Sequence, residues 1–169
     1  MVVGDDSPAP PPPDPAADPV TIPALSLILG FGPMLPLITA GLGALTQPDP
    51  LRAVAIVAGT GWASALLLFI AGVRRGYGFA TRARPRASTL TATIAIFVAG
   101  LIAIPLFLIA PVTGVLALIL GFLSVAILDR HAARSGDAPR HFARLRPPQM
   151  TVGLIGLLMI EAACLGVRY

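Results

Sequence analysis

Long apolar runs, separated by short polar or proline-containing breaks, are the dominant pattern along this chain. A helix needs roughly 20 consecutive apolar residues to cross the hydrocarbon core of a bilayer. Five runs reach or approach that length, and they predict transmembrane helices at residues 24–45, 53–73, 89–109, 112–128 and 150–167. The pattern therefore predicts an all-α fold, a polytopic membrane helix bundle over residues 23–169.

Prolines and glycines divide the first of these runs. In "GFGPMLP", Gly30, Gly32, Pro33 and Pro36 fall within seven positions, which predicts a broken or kinked helix. Such an interruption can expose backbone groups to a substrate, or it can simply let two helices cross. Both interpretations stay open. Between the third and fourth spans, the short junction "IAPVTG" predicts a tight antiparallel hairpin.

The segment before the first span has a different composition. Residues 1–22 contain four aspartates and many prolines, with almost no large apolar side chain to bury. This composition predicts a disordered, acidic, proline-rich tail. A secretory signal peptide is not predicted here, because the segment has neither a basic start nor an apolar stretch.

Composition narrows the class of protein. Hydrophobic residues make up 56% of the 169 residues, charged residues only 12%, and the mean hydropathy is +0.84. Soluble domains have about a quarter charged residues, so a water-soluble globule is excluded. A single cysteine, Cys164, excludes an intramolecular disulfide framework and offers no basis for a metal cluster, so no cofactor or metal is predicted.

The arginines are distributed unevenly about the predicted spans. Five spans place two long loops on the same side as the N-terminus, and these loops carry ten of the twelve arginines: Arg74, Arg75, Arg82, Arg84, Arg86, Arg130, Arg134, Arg140, Arg144 and Arg146. Cytoplasmic loops are enriched in basic residues. We therefore expect the N-terminus in the cytoplasm and the C-terminus in the periplasm of a bacterial inner membrane. Anionic lipid headgroups on the cytoplasmic side are the expected partners, and nucleic acid is not, because no nucleic-acid-binding motif is present.

Glu161 is the main candidate for a functional side chain. It lies inside the last span, where an ionisable group is costly unless it has a partner. Arg168, two helical turns further on, and Arg52, at the start of the second span, are the possible partners. Two interpretations remain open: a carboxylate coupled to proton or cation movement, and a structural carboxylate near the membrane surface.

Other charged residues stand at the predicted span ends. Arg74 and Arg75 follow the second span, and Asp129 and Arg130 close the fourth, where they are predicted to anchor the helices at the level of the headgroups. His131 and His141 follow, but their spacing matches no known metal-ligand signature.

Four stretches resemble a known family. They are "IPALSLILGFGPMLPLITA", "LLLFIAGVRRG", "GFLSVAILDR" and "LRPPQMTVGL", and their order and spacing are similar to those of the transmembrane protein 69-like family, domain of unknown function 3429. The family pattern has tryptophan where this chain has Arg75. The resemblance implies a multi-pass helical membrane protein with bacterial or mitochondrial relatives, and it implies no activity.

Function is predicted mainly from what the spans lack. No nucleophile motif, phosphate loop or pair of catalytic side chains at helical spacing is present, and polar groups within the spans are few. The sequence therefore favours a non-enzymatic accessory, scaffold or assembly protein. The alternative is a small oligomeric transporter or channel that uses the Glu161 carboxylate.

Overall fold

The computed structural model describes residues 24–81, 87–134 and 142–166. These residues form six α-helices and contain no strand. The helices are α1 (Ala24–Phe31), α2 (Leu35–Thr46), α3 (Leu51–Thr81), α4 (Ala87–Ile109), α5 (Pro111–Arg134) and α6 (Phe142–Gly166), and a 3₁₀ turn at Gly32–Met34 joins α1 to α2. The predicted tail at residues 1–22 lies outside the described residues.

Five helical segments are long and apolar enough to cross a membrane, which confirms the predicted all-helical, five-span architecture. The segments are Leu27–Thr46, Leu51–Tyr77, Thr89–Ile109, Pro111–Ala132 and Arg144–Gly166. The first combines α1, the 3₁₀ turn and α2. The helices themselves are longer than the predicted spans, since α3 begins at Leu51 and continues to Thr81, and polar residues at its ends extend it beyond its apolar part.

Helices α2 to α6 form a closed ring. Each packs against its neighbour in the chain, and α6 returns to pack against α2, while α3 also touches α5 and α6 across the centre. The interior is filled by apolar side chains that are fully buried, among them Leu37, Leu67, Ile96, Phe122 and Leu157. Large apolar side chains also cover the outside, as at Ile109, which is 83% exposed. An apolar exterior of this kind suits lipid and not water.

Missing side chains allow a close approach of the backbones of α2 and α6. A Cβ atom built on Gly156 would lie 2.5 Å from the carbonyl carbon and oxygen of Leu37, and one built on Gly41 would lie 2.8 Å from the Gly156 carbonyl oxygen. The two backbones therefore touch directly. Small residues serve this purpose in membrane helices, where van der Waals packing replaces the hydrophobic effect as the force between helices.

The interruption of the first span is a tightened turn. Pro36 has no N–H to donate to the Gly32 carbonyl, so this carbonyl accepts a hydrogen bond from the N–H of Leu35 instead. The backbone angles stay in the right-handed helical region through the turn, at Phe31, Met34 and Leu35. The indole Nε1–H of Trp62 on α3 donates to the carbonyl oxygen of Pro33 at 2.8 Å. The chain thus turns without unwinding, and α3 supplies a hydrogen bond to the turn.

Candidate functional site

A buried cluster of charged side chains joins three helices at the arginine-rich end of the bundle. Asp129 on α5 is 1% exposed, and its Oδ1 accepts a hydrogen bond from Nη1 of Arg74 on α3. Its other oxygen, Oδ2, lies 3.0 Å from Nε of Arg146 on α6. Arg146 in turn donates from Nη1 to Oε1 of Gln149, one turn along the same helix, at 3.2 Å. One carboxylate therefore links α3, α5 and α6.

The two contacts of Asp129 differ in kind. Oδ2 of Asp129 and Nε of Arg146 are close enough for an ion pair, yet neither atom has a hydrogen bond among the described residues. The N–H and the carboxylate oxygen are close without being aligned, so their attraction is that of two charges. The contact between Oδ1 of Asp129 and Nη1 of Arg74, by contrast, is a charge-assisted hydrogen bond.

Position in the membrane explains why these charges are tolerated. Arg74 and Asp129 each stand three residues inside the end of their apolar segments, and Arg146 two residues inside the start of its own. At the helical rise this is a depth of about 3–5 Å. Ionisable groups at this level are reached by interfacial water when exposed, and they pair with one another when they face the bundle.

The predicted helix anchors divide into two kinds. Arg74 and Asp129 point into the bundle and belong to the buried cluster, whereas Arg75 and Arg130 are exposed. Asp129 therefore pairs with residues from other helices and not with its sequence neighbour. Sequence reasoning did not identify Arg146 or Gln149 as members of this site. The signal available was that Arg74, Asp129 and Arg146 all lie within four residues of predicted span ends on the same face.

A groove opens beside this cluster, between α1 and α3. It has a volume of about 240 Å³, and two residues of the predicted interruption, Gly30 and Pro33, line it together with Arg146 and Gln149. Pro36 lines a second cavity of about 350 Å³ between α2 and α3, near Trp62. A Cβ atom built on Gly32 would meet no atom within 4 Å.

Glu161 and Arg52 lie at the opposite end of the bundle. Arg52 on α3 donates from Nη2 to the carbonyl oxygen of Ala163 on α6 at 2.9 Å. Glu161 is partly buried, and its Oε2 is enclosed without a hydrogen bond among the described residues. Within this part of the chain no ion pair joins Glu161 to Arg52, and Arg168 lies outside the described residues.

Other polar groups inside the described spans also bond within the bundle. Ser64 on α3 donates to the Gly100 carbonyl on α4 at 2.5 Å, and Thr60 donates to the Ile56 carbonyl one turn earlier at 2.8 Å. The described helices hold no group of three histidine, cysteine or acidic side chains that is placed to ligate a metal.

No protein-family model, no curated protein and no solved structure matches this chain. The resemblance to the transmembrane protein 69-like family accordingly stays a prediction. Polar contacts among the described residues connect the helices of the bundle, and its outer surface carries large apolar side chains.

Proposed function

We propose that this chain is a non-enzymatic accessory, scaffold or assembly protein of a bacterial inner membrane, with its N-terminus in the cytoplasm and its C-terminus in the periplasm. Ten arginines on one predicted face support this orientation. Membership of the transmembrane protein 69-like family is part of the proposal and rests on the four similar stretches. Its partners would be anionic lipids on the cytoplasmic side and a membrane protein, which is either another chain or a second copy of this one.

One observation carries the proposal: several polar side chains within the described spans join one helix to another. Asp129 links α3, α5 and α6, Arg52 links α3 to α6, and Ser64 links α3 to α4. An enzyme or a carrier needs polar groups that converge on a substrate. A rigid bundle with an apolar exterior instead suits association with other membrane helices.

The exterior of α4 is the best candidate for a partner surface. Only 22% of its apolar segment is buried, the lowest share among the five segments. Its exposed side chains include Phe97 and Leu101, and Leu101 is 55% exposed. Among the five segments, this helix therefore has the largest share of its surface left for a neighbour.

Purification from the native membrane in a mild detergent tests the proposal. We expect the tagged full chain to co-purify in fixed stoichiometry with a membrane complex, identified by mass spectrometry and by the native mass. Leu101→Trp should reduce this recovery severalfold, while Leu120→Trp on α5, at a position that is 58% exposed, should not. Recovery of the unmodified chain as a bare monomer would contradict the proposal.

A second function, a small transporter or channel, is favoured by Glu161. Its Oε2 is enclosed and has no hydrogen bond among the described residues, and a carboxylate in that position can take up and release a proton. In proteoliposomes containing a pH-sensitive dye, this function predicts proton flux that Glu161→Gln abolishes. Asp49→Asn is the control, because Asp49 is an exposed carboxylate in the α2–α3 loop at the same end of the bundle. Absence of flux with the unmodified chain would exclude this function.

A further inference from the structure

The start of α1 lies beside the start of α6. A Cβ atom built on Gly30 of α1 would be 3.5 Å from the side chain of Leu145 on α6, and both helices run inward from the arginine-rich end of the bundle. Ala24, the first residue of α1, is six residues before Gly30, which corresponds to about 9 Å along the helix axis. Residues 1–23 therefore join the bundle close to Arg144, the residue before Leu145.

Two arginines on the surface of this end do not belong to the buried cluster. Arg130, near the end of α5, and Arg144, near the start of α6, are both exposed, and α5 packs against α6. The described residues place no exposed carboxylate at this end, because Asp129 is buried and both Asp49 and Glu161 lie at the opposite end. We call this surface, defined by Arg130 and Arg144, the basic face.

The segment that precedes α1 carries the opposite charge. Residues 1–23 contain no arginine, lysine or histidine, and they hold four of the eight acidic residues of the chain: Asp5, Asp6, Asp14 and Asp18. The predicted loops at the same end contain ten arginines, and the acidic residues that accompany them are Asp129 and Asp137. Charge complementarity therefore favours a contact between the acidic tail and the basic face.

The tail is long enough to make this contact. Packed helices lie about 8–10 Å apart, so Arg144 on α6 is about one helix spacing from the start of α1, and Arg130 on α5 is about two. A fully extended chain covers about 3.3 Å per residue, which gives about 20 Å from Ala24 to Asp18 and about 33 Å from Ala24 to Asp14. Asp18 can therefore reach Arg144, and Asp14 can reach Arg130.

We propose that the acidic tail, residues 1–23, binds the basic face of its own chain, with its aspartates against Arg130 and Arg144, and competes there with anionic lipid headgroups. Each exposed ion pair is weak, but tethering gives the tail a millimolar effective concentration at the face. The inference goes beyond the accessory role proposed above and does not depend on it. It assigns to the tail the control of lipid access to this face.

Pulsed electron paramagnetic resonance on the full chain in phosphatidylcholine nanodiscs tests the contact. In a Cys164→Ser background, nitroxide-labelled cysteines replace Ala17, beside Asp18, and His131, beside Arg130. Because salt screens the contact, the distance between the nitroxides should be shorter by about 5 Å or more at about 10 mM salt than at about 1 M salt. An equal distance at both salt concentrations would overturn the proposal.

Dilution of the doubly labelled chain with an excess of unlabelled chain decides which copy the tail binds. We expect the shortening at low salt to persist, because both labels are on the chain whose tail binds. A shortening that disappears on dilution would place the tail on a second copy and contradict the proposal.

Replacement of the tail aspartates separates their charge from the length of the chain. When Asp5, Asp6, Asp14 and Asp18 are changed together to Asn, the distance should no longer depend on salt. When the same four are changed to Glu, the charge is kept and the shortening at low salt should remain. If the Asn variant shortens as much as the unmodified chain, the aspartates do not hold the tail.

Spin-labelled lipids test the competition with anionic headgroups. Their spectra give the preference of the protein surface for phosphatidylglycerol over phosphatidylcholine. The four-Asn variant should raise this preference about threefold over the four-Glu variant, because the basic face is then uncovered. Adding Arg130→Gln and Arg144→Gln to both variants should remove the difference between them. An equal preference in the Asn and Glu variants that retain both arginines would overturn the proposed competition.

Discussion

Asp129 is the residue on which three helices depend at the arginine-rich end. Its two oxygens face arginines from two other helices, and it is 1% exposed. Pairing within a bundle offsets the cost of removing charges from water, and breaking a buried pair by removing one partner is strongly destabilising. Removing the carboxylate charge should therefore lower the free energy of unfolding strongly, even if the intact cluster adds little to that free energy.

Asp129→Asn is expected to destabilise the bundle by about 3–5 kcal/mol, because it removes the buried carboxylate charge that faces both the Arg74 and the Arg146 guanidinium groups. Unfolding in mixed micelles with increasing SDS, followed by circular dichroism, measures the change. Asp49→Asn makes the same chemical change at an exposed position and should stay within about 0.5 kcal/mol. If the two variants unfold at the same SDS fraction, the cluster does not stabilise the fold.

Trp62 donates a single hydrogen bond to the interruption of the first span. Its Nε1–H reaches the Pro33 carbonyl while the ring remains 42% exposed. Trp62→Phe keeps an aromatic ring and removes the donor, so it should cost about 0.6 kcal/mol, the average for hydrogen bonds between membrane helices. The SDS titration measures this difference, and Phe97→Leu, at a position 46% exposed, controls for altered contact with detergent. If Trp62→Phe loses no more stability than the control variant, the hydrogen bond does not stabilise the bundle.

At the scale of elements, the contact between α2 and α6 depends on the absence of side chains. The Gly156 backbone lies against the Leu37 carbonyl, where even a methyl group would be too close. Backbone atoms cannot rotate away as a flexible side chain can. The two helices must therefore move apart if either surface gains an atom, and this would disturb the ring at the place where α6 closes it.

Gly156→Ala should destabilise the bundle by about 1–3 kcal/mol, the usual cost of overpacking. Gly61→Ala is the matched control on α3, since a Cβ atom there meets no atom within 4 Å. The control should be neutral or slightly stabilising, by up to about 1 kcal/mol, because alanine favours the helix. Thermal unfolding of both variants in the same detergent compares them, and equal midpoints would mean that α2 and α6 are not in contact as described.

The helices were predictable from the sequence, whereas the pairings between them were not. Twenty apolar residues in a row can satisfy their backbone groups in lipid only as a helix, so hydropathy alone locates the spans. The partners of Asp129 depend on which helices become neighbours, and Arg74 is 55 positions away. For the same reason Arg52, considered as a partner for Glu161, reaches the Ala163 carbonyl instead. Local sequence carries no information on such distant contacts.

At the scale of the whole molecule, the ring of helices has two chemically different ends. One end holds the buried cluster of Asp129 with Arg74 and Arg146, and the groove with Gln149 lies beside it. The other end holds Arg52 bonded to the end of α6. The accessory role assumes that the first end faces the cytoplasm and that the chain crosses the membrane five times.

Labelling of single cysteines in intact bacterial cells tests this central assumption most directly. In a Cys164→Ser background, cysteines replace Gln47, Ala87 and Ala110, which lie in or beside three successive connections between helices. We predict that a membrane-impermeant maleimide labels positions 47 and 110 in intact cells and labels position 87 only after the cells are permeabilised. Labelling of position 87 from outside, or of two successive connections from the same side, would contradict the five-span orientation.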